Sequence, residues 1–274
     1  MCARCSGERG PSGVFIMTTA LDMVAATHCG LRRVHNEDCI AVDRGVGLAV
    51  LADGMGGHKA GEVASRIAVE VITSGIQAAV AEAPPPRLNT AAQSLIAEHV
   101  SQANERIFEA AEANPAYGGM GTTVVVALWH DGSVSVGHVG DSRMYRMRAR
   151  ELEQLTHDHS LAQDHIDRGL LSPDEARTAP IRNVLTRTVG NASEVTADLK
   201  TFEVAVDDVY LLCSDGLTDM LTDAQISEAL ISFGAQIQHA AEELIKQANH
   251  HGGVDNISVI LVRVMNGTRR GVAP

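Results

Sequence analysis

Apolar positions along the chain follow two rhythms. Short blocks dense in Val, Ile, Leu and Ala, bounded by Gly, Asp or Asn, predict strands over residues 24–29, 39–42 and 47–52, the last two joined by a turn at 43–46. After Asp53 and its glycines the period changes. Ala60, Val63, Ala64, Ile67, Ala68, Val71 and Ile72 recur every three or four positions and give one apolar helix face. Pro84, Pro85 and Pro86 mark a linker. A second amphipathic helix follows over about 90–113. Strands are predicted over 122–129 and 133–139, paired across Asp131 and Gly132, then over 143–147 and 152–155. Residues 156–191 are more polar and irregular, apart from a helical piece near 161–168. Strands return at 199–206, 209–213 and 257–264, with helices at 223–232 and 237–247.

Strands therefore arrive in pairs and helices in consecutive pairs. That order disfavours a doubly wound nucleotide fold, which alternates the two. It predicts an α+β architecture in which two packed, mainly antiparallel sheets carry helices outside. One domain is expected over 21–264, with 156–191 as an irregular segment inside it. Residues 1–20 read as a flexible leader, with Met17 an alternative start, and 265–274 as a flexible tail.

Composition narrows the function. An apolar fraction of 45% over 274 residues supports a substantial core. Aromatics are only 3%, too few for a surface that stacks bases. A net charge of -12, from 22 basic against 34 acidic residues, argues against nucleic acid or an anionic membrane as partner. A phosphorylated protein stays open, because bound cations invert the sign of an acidic cleft. The cysteines, at 2, 5, 29, 39 and 213, are odd in number and irregular in spacing, so no disulfide framework is expected. Cys2 and Cys5 form a CxxC pair without the second pair that zinc would need. Residues 14–17 are too short to span a membrane and no later run reads as long enough, so a cytoplasmic monomer without a membrane anchor is expected.

Acids recur at strand ends. Asn36, Glu37 and Asp38 precede one strand, and residues 48–52 deliver Asp53 into Gly54-Met55-Gly56-Gly57. Residues 209–214 deliver Asp215, with Gly216 and Asp219 following. Gly140-Asp141-Ser142-Arg143 ends another strand, and Asp255-Asn256 begins the last. Each alone is an ordinary turn; repeated beside Gly or Asn, they predict converging carboxylates. Clustered acids repel one another. Hard cations, Mg²⁺ or Mn²⁺, take such oxygen ligands, and a pair of them also activates water for phosphoryl transfer. His28, His35, His58, His138, His157 and His159 form no HExxH and read as surface or hydrogen-bonding groups. Ser142 and Ser214 lack a nucleophile elbow, and Gly54–Gly57 lacks the GK[ST] of a P-loop. Arg33 lies just upstream of Glu37; it is either a surface arginine or a bidentate clamp on phosphate.

Arg33-Val34-His35-Asn36-Glu37-Asp38, Ala52-Asp53-Gly54-Met55-Gly56-Gly57-His58, Gly121-Thr122-Thr123, Gly140-Asp141-Ser142-Arg143, Ser214-Asp215-Gly216-Leu217-Thr218-Asp219 and Asp255-Asn256-Ile257-Ser258 occur in that order. Over about residues 24–264 the set resembles the PPM or protein phosphatase 2C family, in its compact bacterial form. The resemblance implies a four-layer α-β-β-α sandwich with two divalent cations, Mn²⁺ or Mg²⁺, at one end. It implies Asp53 as the bridging metal ligand, Glu37 and the Gly54 carbonyl on one side, and Asp215 and Asp255 on the other. Asp38 would support the attacking water, and Arg33 would bind the substrate phosphate. Asp141 and Asp215 would hold a third, weaker ion, with Asp219 and Asn256 in support.

The implied activity is hydrolysis of phosphoserine and phosphothreonine in proteins, opposing serine/threonine kinases in signalling, with those kinases and their substrates as partners. Met55 stands where some members carry a histidine, and His58 is not its equivalent, so protonation of the leaving group is left to water. Ala179 stands where many relatives carry histidine in the flap, 156–191. Two other readings are a phosphomonoesterase for small esters and a catalytically silent phosphoprotein-binding module.

Overall fold

The computed structural model describes residues 20–56, 60–82 and 88–266; most of the expected leader and tail, Cys2, Cys5, His58 and the Pro84–Pro86 linker lie outside the described residues. One sheet has the order β1 (Ala20–His28), β11 (Ile257–Met265), β10 (Val209–Cys213), β7 (Arg143–Arg148), β8 (Glu151–Gln154). The second runs β2 (Asp38–Asp43), β3 (Leu48–Met55), β5 (Val124–His130), β6 (Ser133–Val139), β9 (Asp198–Glu203), with β4 (Gly121–Thr122) paired to the end of β3. These pairings are antiparallel.

The period of two along β3 explains the layering. Ala49 and Leu51 point between the sheets, where they join Met23, Val125, Trp129, Tyr210, Leu212 and Ile260. Leu48, Val50 and Ala52 point the other way, onto α1 (Ala60–Glu82) and α2 (Leu88–Ala113). On the far sheet, Leu211, Cys213, Val259 and Leu261 pack under α5 (Asp215–Thr218), α6 (Asp223–Phe233) and α7 (Ile237–His250). Both faces of the central strands are thus buried, which is why they read as nearly continuous apolar runs. The result is the expected four-layer α-β-β-α sandwich.

Three features differ from the sequence reading. The strand expected over 122–129 breaks at Thr123, because its N–H turns to donate to the Asp53 carbonyl at 2.8 Å. A six-residue helix, α4 (Pro173–Thr178), follows α3 (Leu161–Asp167) inside the irregular segment; Ser172 and Glu175 form its capping box and Pro173 fits its first turn. Finally, α1 is long and apolar enough to cross a membrane by length and composition, contrary to the expectation that no run is. Its apolar residues Ala64, Ala68, Ile72 and Ile76 are instead packed against β3 and α2.

Candidate metal centre

The two sheets bring their acids to one end. Asp38 opens β2 and lies directly across from Asp53, near the end of β3, while Gly54 pairs with Thr122. From the other sheet, β10 runs through Ser214 into Asp215 at the start of α5, and Asp255 with Asn256 leads into β11. Asp141 follows the end of β6. A cleft of about 230 Å³ opens there, lined by Arg33, Glu37, Asp53, Gly54, Asp141, Asp215 and Asp255, with Met55, Gly56, Thr123, Asn183 and Leu185. Of the residues singled out by sequence, Asp38, Asp219 and Asn256 lie outside this lining. Asp38 sits behind it, accepting from Ser214 Oγ at 2.9 Å. Asp219 accepts from Asn183 Nδ2 at 3.4 Å at the flap edge.

Backbone contacts fix these positions. A Cβ on Gly54 would come within 2.1 Å of the Gly61 carbonyl oxygen and 2.6 Å of that of Glu37, so β3 meets the start of α1 only through glycine. The Asp53 carbonyl accepts from Thr122 Oγ1 at 2.8 Å, and its N–H donates to Thr123 Oγ1 at 3.2 Å. Ser65 on α1 donates to the Glu37 carbonyl at 2.5 Å. The Asn256 amide ties the β1–β2 loop down: Oδ1 accepts from Glu37 N–H at 2.8 Å, and Nδ2 donates to the carbonyls of Cys29 and His35 at 3.1 and 2.9 Å. Arg33 Nη2 reaches Asp255 Oδ2 at 2.7 Å.

Burial and mutual repulsion make the acids reluctant to ionise without a cation. Burial, offset in part by the hydroxyls of Ser258 and Ser214, pushes Asp38 up to about 6. Burial and Asp158 push Asp141 up to about 7. Asp53 and Asp215 are driven well above the usual carboxylate range by burial and then by neighbouring acids. Burial also raises Glu37, against the pull of Arg33. Asp38 Oδ1 is buried without a hydrogen-bond partner. Such a set fits divalent cations, which remove the repulsion and satisfy orphaned oxygens. The donors lining the cleft are oxygens, and no His or Cys is among the lining residues, which suits a hard ion.

Thr122, Thr123 and Ser214 stand in motifs the sequence singles out, but what they hold was not legible there, because each acts on residues distant in the chain. Arg143, in the Gly140–Arg143 motif, does not enter the cleft lining; its guanidinium grips Asp158, with Nη2 to Oδ2 at 2.7 Å and Nε to Oδ1 at 2.9 Å. That pair joins β7 to the start of the flap.

A second group of metal-ligand types is His138, His159 and Asp198, whose donor atoms lie within 4.8 Å of one another. The two rings stack at 4.7 Å and are buried rather than at the surface. The Gly140 N–H donates to His159 Nδ1 at 3.0 Å, so the neutral ring carries its proton on Nε2, facing Asp198 Oδ2 at 3.5 Å. Burial, with His138 and Arg187 nearby, lowers His159 to about 4 and keeps it neutral. A cation would need that same Nε2 bare. The trio instead links β6, β9 and the flap.

The family model described as protein phosphatase 2C matches residues 31–250. The serine/threonine phosphatase stp of Listeria innocua is 37% identical over 239 residues, covering 86% of this chain and 93% of that protein. The crystal structure of the Mycobacterium tuberculosis serine/threonine phosphatase PstP/Ppp superposes with a TM-score of 0.82 at 34% identity, over 90% of this chain and 100% of that one. A structure of the PstP catalytic domain in complex with two manganese ions gives a TM-score of 0.81 at 34% identity, with the same coverage.

Proposed function

The chain belongs to the protein phosphatase 2C family, and from that premise we propose that it hydrolyses phosphoserine and phosphothreonine in proteins at this acidic cleft. The observation that carries the reading is the meeting of Glu37, Asp53, Asp141, Asp215 and Asp255 with Arg33 around one opening. A protein that only bound phosphate would place cations there, not five acids.

Glu37, Asp53 and the Gly54 carbonyl would hold one divalent cation and Asp53, Asp215 and Asp255 a second, and manganese or magnesium suits these donors. When bound, such ions neutralise phosphoryl oxygens and acidify water at neutral pH. Around them, the chain's own residues divide the remaining work. Arg33, with its side chain half exposed, turns from Asp255 to the phosphate oxygens, for which its planar fork is suited. Asp38 keeps Oδ2 on Ser214 and offers Oδ1 to orient the attacking water and take its proton. Asp141 with Asp215 would hold a third, weaker ion, with Asp219 and Asn256 in support. Met55 lines the cleft and carries no proton to give, so it cannot take the part of a general acid. Substrates are phosphoproteins, serine/threonine kinases and their targets among them, within cytoplasmic signalling.

The test compares a phosphothreonine peptide with small phosphate esters under Mn²⁺, using the parent and Asp215→Asn. The reading predicts higher kcat/KM on the peptide and loss of both activities in the variant. A preference for a small metabolite ester would assign the chain to that chemistry instead. Peptide binding without turnover would assign it to recognition.

A further inference from the structure

Six large apolar side chains stand exposed among the described residues. Four of them lie within two positions of a residue that lines the cleft: Leu31 and Val34 beside Arg33, Val254 beside Asp255, and Val184 between Asn183 and Leu185. Their exposures are 63%, 86%, 42% and 46%. One exposed leucine is ordinary; several exposed apolar side chains on the very loops that carry the cleft residues mark a contact surface.

Three of the four share one rigid support. The loop after β1 is tied to the loop before β11 by Leu31 N–H on the Gly253 carbonyl at 2.7 Å, by Arg33 on Asp255, and by the Asn256 amide on Cys29 and His35. Gly253, with φ +49°, lets the strands of this tie close; a Cβ there would meet the Leu31 side chain at 3.0 Å. Leu31, Val34 and Val254 are therefore presented in a fixed arrangement around the phosphate-binding arginine, which lowers the cost of ordering a bound segment.

We propose that Leu31, Val34 and Val254 select phosphoproteins carrying an apolar side chain within two or three residues of the phosphorylated serine or threonine. The inference rests on the protein phosphatase reading. An extended substrate advances about 3.3 Å per residue, and Leu31 and Val34 lie within about 7 Å of chain from Arg33, so the reach matches. Charge disfavours an occupant with acidic flanks, since the chain as a whole carries a net charge of -12.

The experiment uses two phosphothreonine peptides that differ only in leucine or serine flanking the phosphorylated residue, hydrolysed by the Mn²⁺-loaded parent and by Leu31→Ser/Val34→Ser. The readout is the ratio of the two kcat/KM values within each protein, which is independent of how much of a preparation is folded. The parent is expected to favour the leucine peptide roughly tenfold, the order of one apolar group seated against a surface pocket, and the variant to bring the ratio near unity. No preference in the parent, or an undiminished ratio in the variant, overturns the inference while leaving phosphatase activity intact. Concentration-dependent dimerisation abolished in the variant, with the ratio unchanged, would assign the surface to a second copy and also overturn it. Absence of turnover on both peptides, with a small ester still hydrolysed, overturns the phosphatase reading and this inference together.

Discussion

Replacing Asn256 by alanine should damage both the fold and the site. The side chain is 4% exposed and makes three hydrogen bonds to the loop that carries Arg33 and Glu37: from Glu37 N–H at 2.8 Å and to the carbonyls of Cys29 and His35 at 3.1 and 2.9 Å. At about 1 kcal/mol net for each bond, the loss comes to about 3 kcal/mol. Part of that returns if water reaches the His35 end of the loop, which is exposed, so the expected destabilisation is about 2–3 kcal/mol. Glu37 and Arg33 then lose their fixed position. A misplacement of about 1 Å can cost about a hundredfold in rate. Urea unfolding of the metal-free proteins measures the first effect, and kcat/KM on a phosphothreonine peptide under saturating Mn²⁺ measures the second. If the variant is less stable but keeps the parent's kcat/KM and Mn²⁺ affinity, Asn256 serves the fold alone and its assignment to the site is refuted.

Arg33→Ala should lower kcat/KM on phosphopeptides by about 10- to 100-fold, the value of one charge-assisted contact to phosphate, without weakening Mn²⁺ binding, since it also frees Asp255. Weaker Mn²⁺ binding with unchanged kinetics would reverse the roles. In metal-free protein, Asp38 and Asp141 have folded-state values near 6 and 7, above the ordinary carboxylate value, so the folded state holds their protons more tightly than the unfolded one. Their contribution is complete below about pH 4 and is lost as pH rises through 6 and 7. The melting temperature of chelated protein should thus fall from pH 5 to pH 8, and Mn²⁺ should oppose the fall; a rise over that range without metal would contradict the electrostatic account. Replacing residues 170–179 with a short polar linker removes α4 and the Arg177 contacts to the carbonyls of Thr218 and Leu221. It should reorder a phosphopeptide panel more than it slows a small aryl phosphate, and an equal loss on all substrates would place the segment in the chemical step.

Much of this architecture was legible because its signals are local. The period of two in β3, the period of 3.6 in α1 and the Gly or Asn beside each strand-end acid are all visible within a few residues. Asn256 was legible as a support, but the partners of the supports were not, because each joins distant parts of the chain. Thr122 reaches Asp53 across 69 positions, and Asn256 reaches Glu37 and His35 across 219 and 221. The four- and six-residue helices α5 and α4 fell below the length at which a period can be seen, although Ser172-Pro173-Asp174-Glu175 spelled out the start of α4. His138 and His159 read as surface or hydrogen-bonding groups because histidine serves buried and exposed sites equally well; their stacking, the His157 carbonyl and the Gly140 contact decide for the second.

The central claim is that the carboxylates at the end of the sandwich hold the divalent cations on which hydrolysis depends. The direct measurement is turnover of a phosphothreonine peptide by protein stripped with a chelator, before and after Mn²⁺ is restored. Turnover should vanish on stripping and return on titration with Mn²⁺ in the parent, but not in Asp53→Asn. Full turnover by rigorously metal-free protein, or full recovery by the variant, would contradict the account.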